Sequence, residues 1–519
     1  MKGRHTRRRH PTREVGRRLG WVTLLIMAAM LRGLDAASAA PADWFEIEVV
    51  DGATKRGVPL IALRTVNQVR SWTDSAGRVA FLEPGMMNRD VFVFVEGDGY
   101  DFPKDGFGNA GLRLRPVPGG SHRIEVRRTD IAERLYRVTG EGIYRDSVLT
   151  GYPAPIREPL LNGGVTGQDT VIATVYQDRI HWFWGDTDRL SYPLGNFSAS
   201  GATSALPGQG GLPPAVGIDL TYFVGVDGFV APMCPDFGPG LQWIESVFVL
   251  PDESGRERLM ARVSSQKGLE PAYAWHLAVW NDTRHHFEKR ITWPLRDGHD
   301  SAHPFRATAH GTDYLFLYPD LRVAARWDAV TNLARYEAFT CLTDTGDVDR
   351  DGSGSPQWRW RAGASRPGPA ALRRAGIDLG TRDMETGEPV SLNRGSVTWN
   401  AYRKRWIRIA SGEPGQIWYS EALAPTGPWE SARRVVSQRA YNLYNPTQHS
   451  FFDEEGGRRI YFEGTYTAAF SSAHEKTPHY DYNQLLFRLD LADERLHLPA
   501  PQRPPLDPVP VIPAVAAGR

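Results

Sequence analysis

Two short neighbouring stretches hold the residues best placed to do chemistry. Gln168-Asp169-Thr170-Val171 reads as a strand opening on a carboxylate, and Ile180-His181-Trp182-Phe183-Trp184-Gly185-Asp186-Thr187 reads as its partner, ending in a second carboxylate beside two tryptophans. Two further acids, Glu245 in Trp243-Ile244-Glu245-Ser246-Val247 and Glu463 in Ile460-Tyr461-Phe462-Glu463-Gly464-Thr465-Tyr466, lie inside apolar strands. Burial there would raise a carboxyl pKa toward that of a working acid. Hydrolysis of a glycosidic bond needs two such groups, one protonated and one ionised, roughly 5 to 10 Å apart. Asp169, Glu245 and Glu463 are therefore the candidate catalytic residues. Each has a plainer alternative: Gly185-Asp186-Thr187 is ordinary hairpin chemistry, and either glutamate could be a satisfied buried carboxylate.

Around these acids stand groups suited to holding a sugar. Trp184 and Trp399 offer flat faces for stacking, although a tryptophan in a β core is more often packing. Asp186, His303 and Arg394, then Asn445 and His449, precede or end strands where they could bond substrate hydroxyls or carboxylates, with core polar contacts as the alternative. The remaining histidines are scattered, with no zinc spacing. Asp347, Asp349 and Asp351, followed by Gly352, are spaced as in a calcium loop, but the twelfth position is Trp358 instead of the bidentate Glu. A solvated acidic loop explains the run more simply. No cofactor is expected, calcium at this loop being the weak exception.

The elements that must position these residues read as strands. The chain has 52 Gly, 38 Pro and 16 Trp, and few long helical patterns. From Trp44 to Thr129, short runs such as Phe45-Glu46-Ile47-Glu48-Val49 alternate apolar and polar residues with turns between them, the pattern of a β-sandwich. Beyond a short helix and linker expected at 131–144, strand pairs recur in five groups up to about Leu498. Their inner strands are expected at Gln168–Gln177, Trp243–Leu250, Phe305–Ala309, Gly395–Asn400 and His449–Asp453. Such spacing suits a propeller with enlarged loops, and a double β-sandwich is the competing reading. Residues 198–240 read as a long loop and 499–519 as a proline-rich extended tail.

Residues 44–129 resemble the carboxypeptidase regulatory-like, transthyretin-like sandwich. The matching features are Asp51-Gly52-Ala53-Thr54 leading to Gly57-Val58-Pro59, then Thr73-Asp74-Ser75-Ala76-Gly77-Arg78 and Gly99-Tyr100. Residues 145–498 resemble the five-bladed propeller glycosidases: arabinanases, β-fructosidases and D-arabinan hydrolases. The resemblance rests on Asp169 with Trp184-Gly185-Asp186-Thr187, on Arg394-Gly395-Ser396-Val397-Thr398-Trp399-Asn400 with Trp406, and on Ile417-Trp418-Tyr419-Ser420 followed by Pro425-Thr426-Gly427-Pro428-Trp429. It implies an all-β chain, a small sandwich followed by a five-bladed propeller, with the first-blade Asp169 as base or nucleophile and an acid from a later blade that no family motif here identifies. The expected partner is a polysaccharide or oligosaccharide. A non-catalytic sugar-binding propeller, or a polysaccharide lyase using His303 and Arg394, are the alternatives.

The first 39 residues read as a signal peptide: a basic start, an apolar run from Trp21 to Leu31 too short to span a membrane, and Ala37-Ser38-Ala39 as a cleavage signal. Export to the periplasm or outside the cell is the expectation, with no membrane association after cleavage. Of 61 basic and 60 acidic residues, nine and two leave with this segment, so the remainder holds 52 against 58. That mildly acidic balance argues against nucleic acid, whose binding needs concentrated positive charge. Cys234 and Cys341 could pair in an oxidising compartment or remain separate buried thiols.

Overall fold

The computed structural model describes residues 43–513, apart from 197, 269, 294–302, 364–365, 367 and 508–509. The expected signal peptide lies outside the described residues. Nearly all regular structure is β, and among the described residues no helix is long and apolar enough to cross a membrane.

Residues 45–128 form two four-stranded sheets. One runs in the order 78–81, 45–51, 121–128, 100–101, and the other 70–72, 62–65, 91–96, 111–114. Alternation along the strands turns Ile47, Val49, Val79 and Ile124 of the first sheet against Leu63, Val93, Val95 and Leu114 of the second, in one shared core. The Asp74–Gly77 turn forms as its sequence requires. The Asp74 carboxylate accepts from the amides of Ala76 and Arg78 at 2.9 and 3.1 Å. Gly77 takes φ +75°, and a Cβ there would lie 2.4 Å from the Val49 carbonyl oxygen.

A separate three-stranded sheet is formed by residues 165–168, 187–189 and 192–196. Five further sheets follow, here numbered I to V. Each has four strands in succession: 171–176, 179–184, 200–205 and 221–222 in sheet I; 241–251, 257–266, 274–281 and 286–293 in sheet II; 305–309, 312–318, 321–324 and 337–340 in sheet III; 395–400, 405–411, 416–422 and 431–437 in sheet IV; 442–448, 459–467, 483–490 and 133–137 in sheet V. Sheets III and IV carry additional edge strands. Middle strands such as Leu259-Met260-Ala261-Arg262-Val263 are buried on both faces, which explains their unbroken runs.

Successive sheets share hydrophobic cores. Phe183 of sheet I meets Val247 and Trp280 of II; Phe248 of II meets Leu315 and Val323 of III; Phe316 of III meets Val397 and Trp406 of IV; Ile407 and Tyr419 of IV meet Ile460 and Leu485 of V. Tyr461 and Leu486 of sheet V then meet Val171, Ile180 and Trp182 of sheet I, so the five sheets close into a propeller-like ring. Burying side chains of this size contributes about 1.5–3 kcal/mol each.

The strand order differs from the sequence expectation in three places. The inner strand of sheet V is Asn442–Gln448, whereas 450–452 is a single 3₁₀ turn. Pro446 breaks the strand signal because it stands at a register shift between Tyr444 and Thr447, where a missing N–H is tolerated. Within the expected loop 198–240 lie two strands of sheet I, and their small residues are a packing requirement: a Cβ on Gly201 would lie 2.7 Å from the Met233 sulfur. Residues 133–137, expected as helix or linker, form the outermost strand of sheet V; the short helix comes later, at Arg145–Leu149. The segment after Pro499 runs along the ring. Asp507 accepts from the Trp360 indole at 2.7 Å, and 512–513 pair with the inner strand of sheet III.

Candidate active site

The antiparallel pairing of the first two strands of sheet I continues beyond Val171 and Trp184. The Asp169 amide donates to the Asp186 carbonyl at 2.9 Å, and the Gly185 amide donates to the Asp169 carbonyl at 3.1 Å. The two carboxylates are thereby held side by side at one end of the ring. Thr170, between Asp169 and the strand, takes φ +26°, a rare conformation for a β-branched residue and a strained one. Three bonds hold it there: its amide donates to Thr465 Oγ1 at 3.0 Å, its hydroxyl donates to Asp169 Oδ1 at 2.6 Å, and that hydroxyl accepts from Asn445 Nδ2 at 2.6 Å.

Two tyrosines and a tryptophan from other sheets complete the cluster. Tyr444, on the inner strand of sheet V, donates to Asp169 Oδ1 at 2.6 Å. Trp243, on the inner strand of sheet II, donates its indole N–H to Asp186 Oδ1 at 3.1 Å. Tyr482, just before the third strand of sheet V, donates to Asp186 Oδ2 at 3.5 Å, and the Asp169 charge lies near enough to raise its hydroxyl pKa further. Burial, reinforced by the Asp169 charge, pushes the Asp186 carboxyl up to about 6; the bonds from Trp243 and Tyr482 oppose that rise. Burial and the neighbouring carboxylates hold both tyrosines well above the ordinary phenol range, so they remain donors. The cluster presents a carboxyl group able to carry a proton near neutral pH beside a second, hydrogen-bonded carboxylate.

Asp169, expected as a catalytic residue, and Asp186 and Asn445, expected as binding residues, thus lie in one cluster. Glu463 goes elsewhere. It is fully buried on the second strand of sheet V, its Oε1 2.7 Å from His449 Nε2, and the His449 ring packs edge-on against Trp182 at 5.1 Å. The pair belongs to the seam between sheets V and I, because strand residues that face a neighbouring sheet are enclosed by it. Glu245 occupies a bulge between Ile244 and Ser246 and accepts from Ser264 at 2.6 Å. Trp184 is not a stacking platform: it is 2% exposed and lies parallel to Trp182. Trp399 stands at the far end of its strand from Arg394 and packs edge-on against Trp406 at 5.7 Å. Arg394 and His303 do precede the inner strands of sheets IV and III. Burial pushes His303 down to about 3, with the charges of His449 and Arg394 adding to the effect.

The acidic loop does not gather its carboxylates. Asp347 accepts from Thr345, Asp349 pairs with Arg359, and Asp351 accepts from Ser353 and Ser355; among the described residues no group of three or more potential metal ligands converges. Cys234 and Cys341 are separate buried thiols.

Tyr444, Tyr482 and Trp243 were not anticipated as site residues. The one available signal was the run Tyr480-Asp481-Tyr482-Asn483, aromatic and acidic residues just ahead of a strand.

No family model matches the chain, and no curated protein matches it. Several solved structures resemble it. The exo-β-1,3-galactanase of Phanerochaete chrysosporium with galactose is 11% identical over 69% of this chain and 65% of its own, with a TM-score of 0.34, so the chain spans less than two thirds of that enzyme. An exo-1,5-α-L-arabinanase from a bovine ruminal metagenomic library is 9% identical over 63% of this chain and 94% of its own, TM-score 0.32. The α-L-arabinofuranosidase of Fusarium graminearum is 10% identical over 70% and 99%, TM-score 0.34. Likeness at this level carries no argument about the reaction of this chain.

Proposed function

We propose that the chain is an exported glycoside hydrolase in which sheets I to V are the blades of a five-bladed propeller and residues 44–129 are a transthyretin-like accessory sandwich. The observation that carries the reading is the Asp169–Asp186 pair, in which Tyr444 donates to Asp169 and Trp243 to Asp186 from other sheets, with Asp186 poised near pH 6. Hydrolysis of an acetal needs one carboxyl to protonate the leaving oxygen and one carboxylate to assist attack at the anomeric carbon. Asp186 supplies the proton. Asp169, short of neither donor nor orientation, serves as base or nucleophile, and Tyr444, Tyr482 and Trp243 fix the geometry of the pair.

The lyase alternative needs a base able to take a carbon-bound proton. His303, with its conjugate acid near 3, is too weak a base for that step, which favours the aspartate pair. Incubation with a panel of plant, algal and bacterial polysaccharides tests the choice. A hydrolase releases reducing ends without unsaturated uronates, and both Asp169→Asn and Asp186→Asn abolish that release. Release unchanged in both variants overturns the assignment, and no release from any substrate by the wild type leaves the binding module as the better reading.

A further inference from the structure

We propose that the saccharide bound at this site is acidic and that Arg394 binds its carboxylate. This deepens the hydrolase reading and rests on it for the position of the mouth. Bonds between neighbouring inner strands establish where Arg394 stands. On sheet V, Asn445 reaches Thr170 beside Asp169, while three residues further on Gln448 donates its amide to Ser396 Oγ at 2.8 Å and accepts from Thr398 at 2.6 Å. Further along the same strand, Asn400 Nδ2 donates to the Gly457 carbonyl, which lies beyond the Gln448 end of the sheet V inner strand, so moving back from Ser396 to Arg394 is a move toward the same end of the ring as Asn445 and Asp169.

The backbone at Arg394 is fixed although its side chain is exposed. Its carbonyl accepts from the Ser411 amide at 3.0 Å, and the Asn393 amide donates to the Ser411 carbonyl at 2.8 Å. The Arg408 guanidinium donates to the carbonyls of Asn393 and Leu392 at 2.9 and 3.3 Å. Gly395 permits this close approach, since a Cβ there would lie 2.0 Å from the Ile409 carbonyl oxygen. Arg366 is used up internally, pairing with Asp320 at 2.7 Å. Arg394, by contrast, has no carboxylate partner among the described residues, and its charge is felt at His303.

A neutral sugar gives such a cation nothing to balance. A planar uronate carboxylate fits the guanidinium fork through two parallel hydrogen bonds, a geometry lysine cannot reproduce. It would also keep the anionic group of the substrate away from the Asp169 carboxylate, which repels it. His303, uncharged beside Arg394, can offer a directional hydrogen bond without adding charge.

The test is affinity electrophoresis of the full chain carrying Asp169→Asn, so that binding is read without turnover. Polygalacturonate, alginate, glucuronoxylan and hyaluronan are each compared with their carboxyl-reduced counterparts. At least one acidic glycan should retard the protein, and both carboxyl reduction and an added Arg394→Gln should weaken that retardation by about 10-fold or more. Arg394→Gln should leave the unfolding temperature unchanged, because the side chain is exposed and unpaired. Absence of retardation by every acidic glycan, or retardation that survives either change, overturns the proposal. Failure of the hydrolase reading looks different: the acidic glycan binds in an Arg394-dependent manner, but the wild type releases no reducing ends from it.

Discussion

Replacing Asp186 with asparagine should destroy activity and stabilise the fold at neutral pH, two effects with one cause. The carboxyl titrates near 6 in the folded chain against an ordinary 3.8, chiefly because burial penalises its charge. Between those values the folded state binds more protons than the unfolded state, so this group's contribution to stability is present below about pH 4 and is lost as pH rises through 6. A shift of roughly two pH units corresponds to about 3 kcal/mol at pH 7, discounted to about 2 kcal/mol for partial solvent contact. Asparagine keeps the shape and still accepts from Trp243 without carrying the charge. At about 2.1 cal/mol/K per residue over roughly 350 residues, 2 kcal/mol raises the unfolding temperature by about 2–3 °C. Loss of the acid should lower turnover about 10³-fold. Differential scanning calorimetry of both proteins from pH 4 to 8 is the assay: the gain should be full at pH 7 and close to zero at pH 4. A variant that melts lower than the wild type at pH 7, or a gain independent of pH, refutes the reasoning.

Tyr482→Phe removes a donor that holds the Asp186 pKa down, so the alkaline limb of the kcat/KM pH profile should move to higher pH; a limb that stays put or moves down disproves the link. Glu463→Ala leaves His449 without its buried partner and opens a void, and should cost about 2–4 kcal/mol by urea unfolding while the folded fraction keeps its kcat; loss of kcat in folded protein would return Glu463 to the catalytic machinery. Burial raises Asp74 and Asp130 to about 6 and Asp453 to about 7, while Arg458 and Arg495 help to hold Asp490 and Asp493 low. The raised carboxyls lose stability from about pH 4 up to 7, while burial lowers His181 and His276 to about 4 and His303 to about 3, so these histidines gain stability from about pH 4 to 6.5. The two sets oppose each other, and the unfolding temperature should change little between pH 5 and 8 and fall below pH 4 as the lowered carboxylates protonate; a steep fall between pH 5 and 8 contradicts this balance.

Strand periodicity made the β character and most inner strands legible, because alternation and doubly buried runs leave a direct trace in the residue order. The elements that escaped were those whose local chemistry contradicts their place. Pro446 interrupts an inner strand at a bulge, and Gly201 looks like loop but is small because Met233 and Phe183 crowd it. Arg134 and Arg137 sit buried in the strand that completes sheet V, donating to backbone carbonyls, where the sequence pattern suggests a solvated linker. At the site, Asp169 could be found because it heads a strand. Tyr444 and Tyr482 could not, since they lie 275 residues from Asp169 and 296 from Asp186 along the chain, and only ring closure brings them together.

That closure has a consequence for the site itself. The segment leading into Asp169 is bonded to sheet V on several sides: the Gln168 amide donates to the Tyr482 carbonyl at 2.7 Å, the Gln168 carbonyl accepts from Gln484 Nε2 at 2.8 Å, and the Thr170 amide donates to Thr465. Sheet V is in turn completed by residues 133–137, which precede sheet I in the chain. The left-handed backbone at Thr170 costs about 1–3 kcal/mol and persists only while these bonds over-determine it. The paired carboxylates, which repel each other, depend on the same bonds for their spacing. The aspartate pair is therefore a product of the seam between the first and last sheets. Loosening the outermost strand of sheet V should disorganise the pair before the rest of the ring unfolds, because the strain at Thr170 is released first where its restraints are lost.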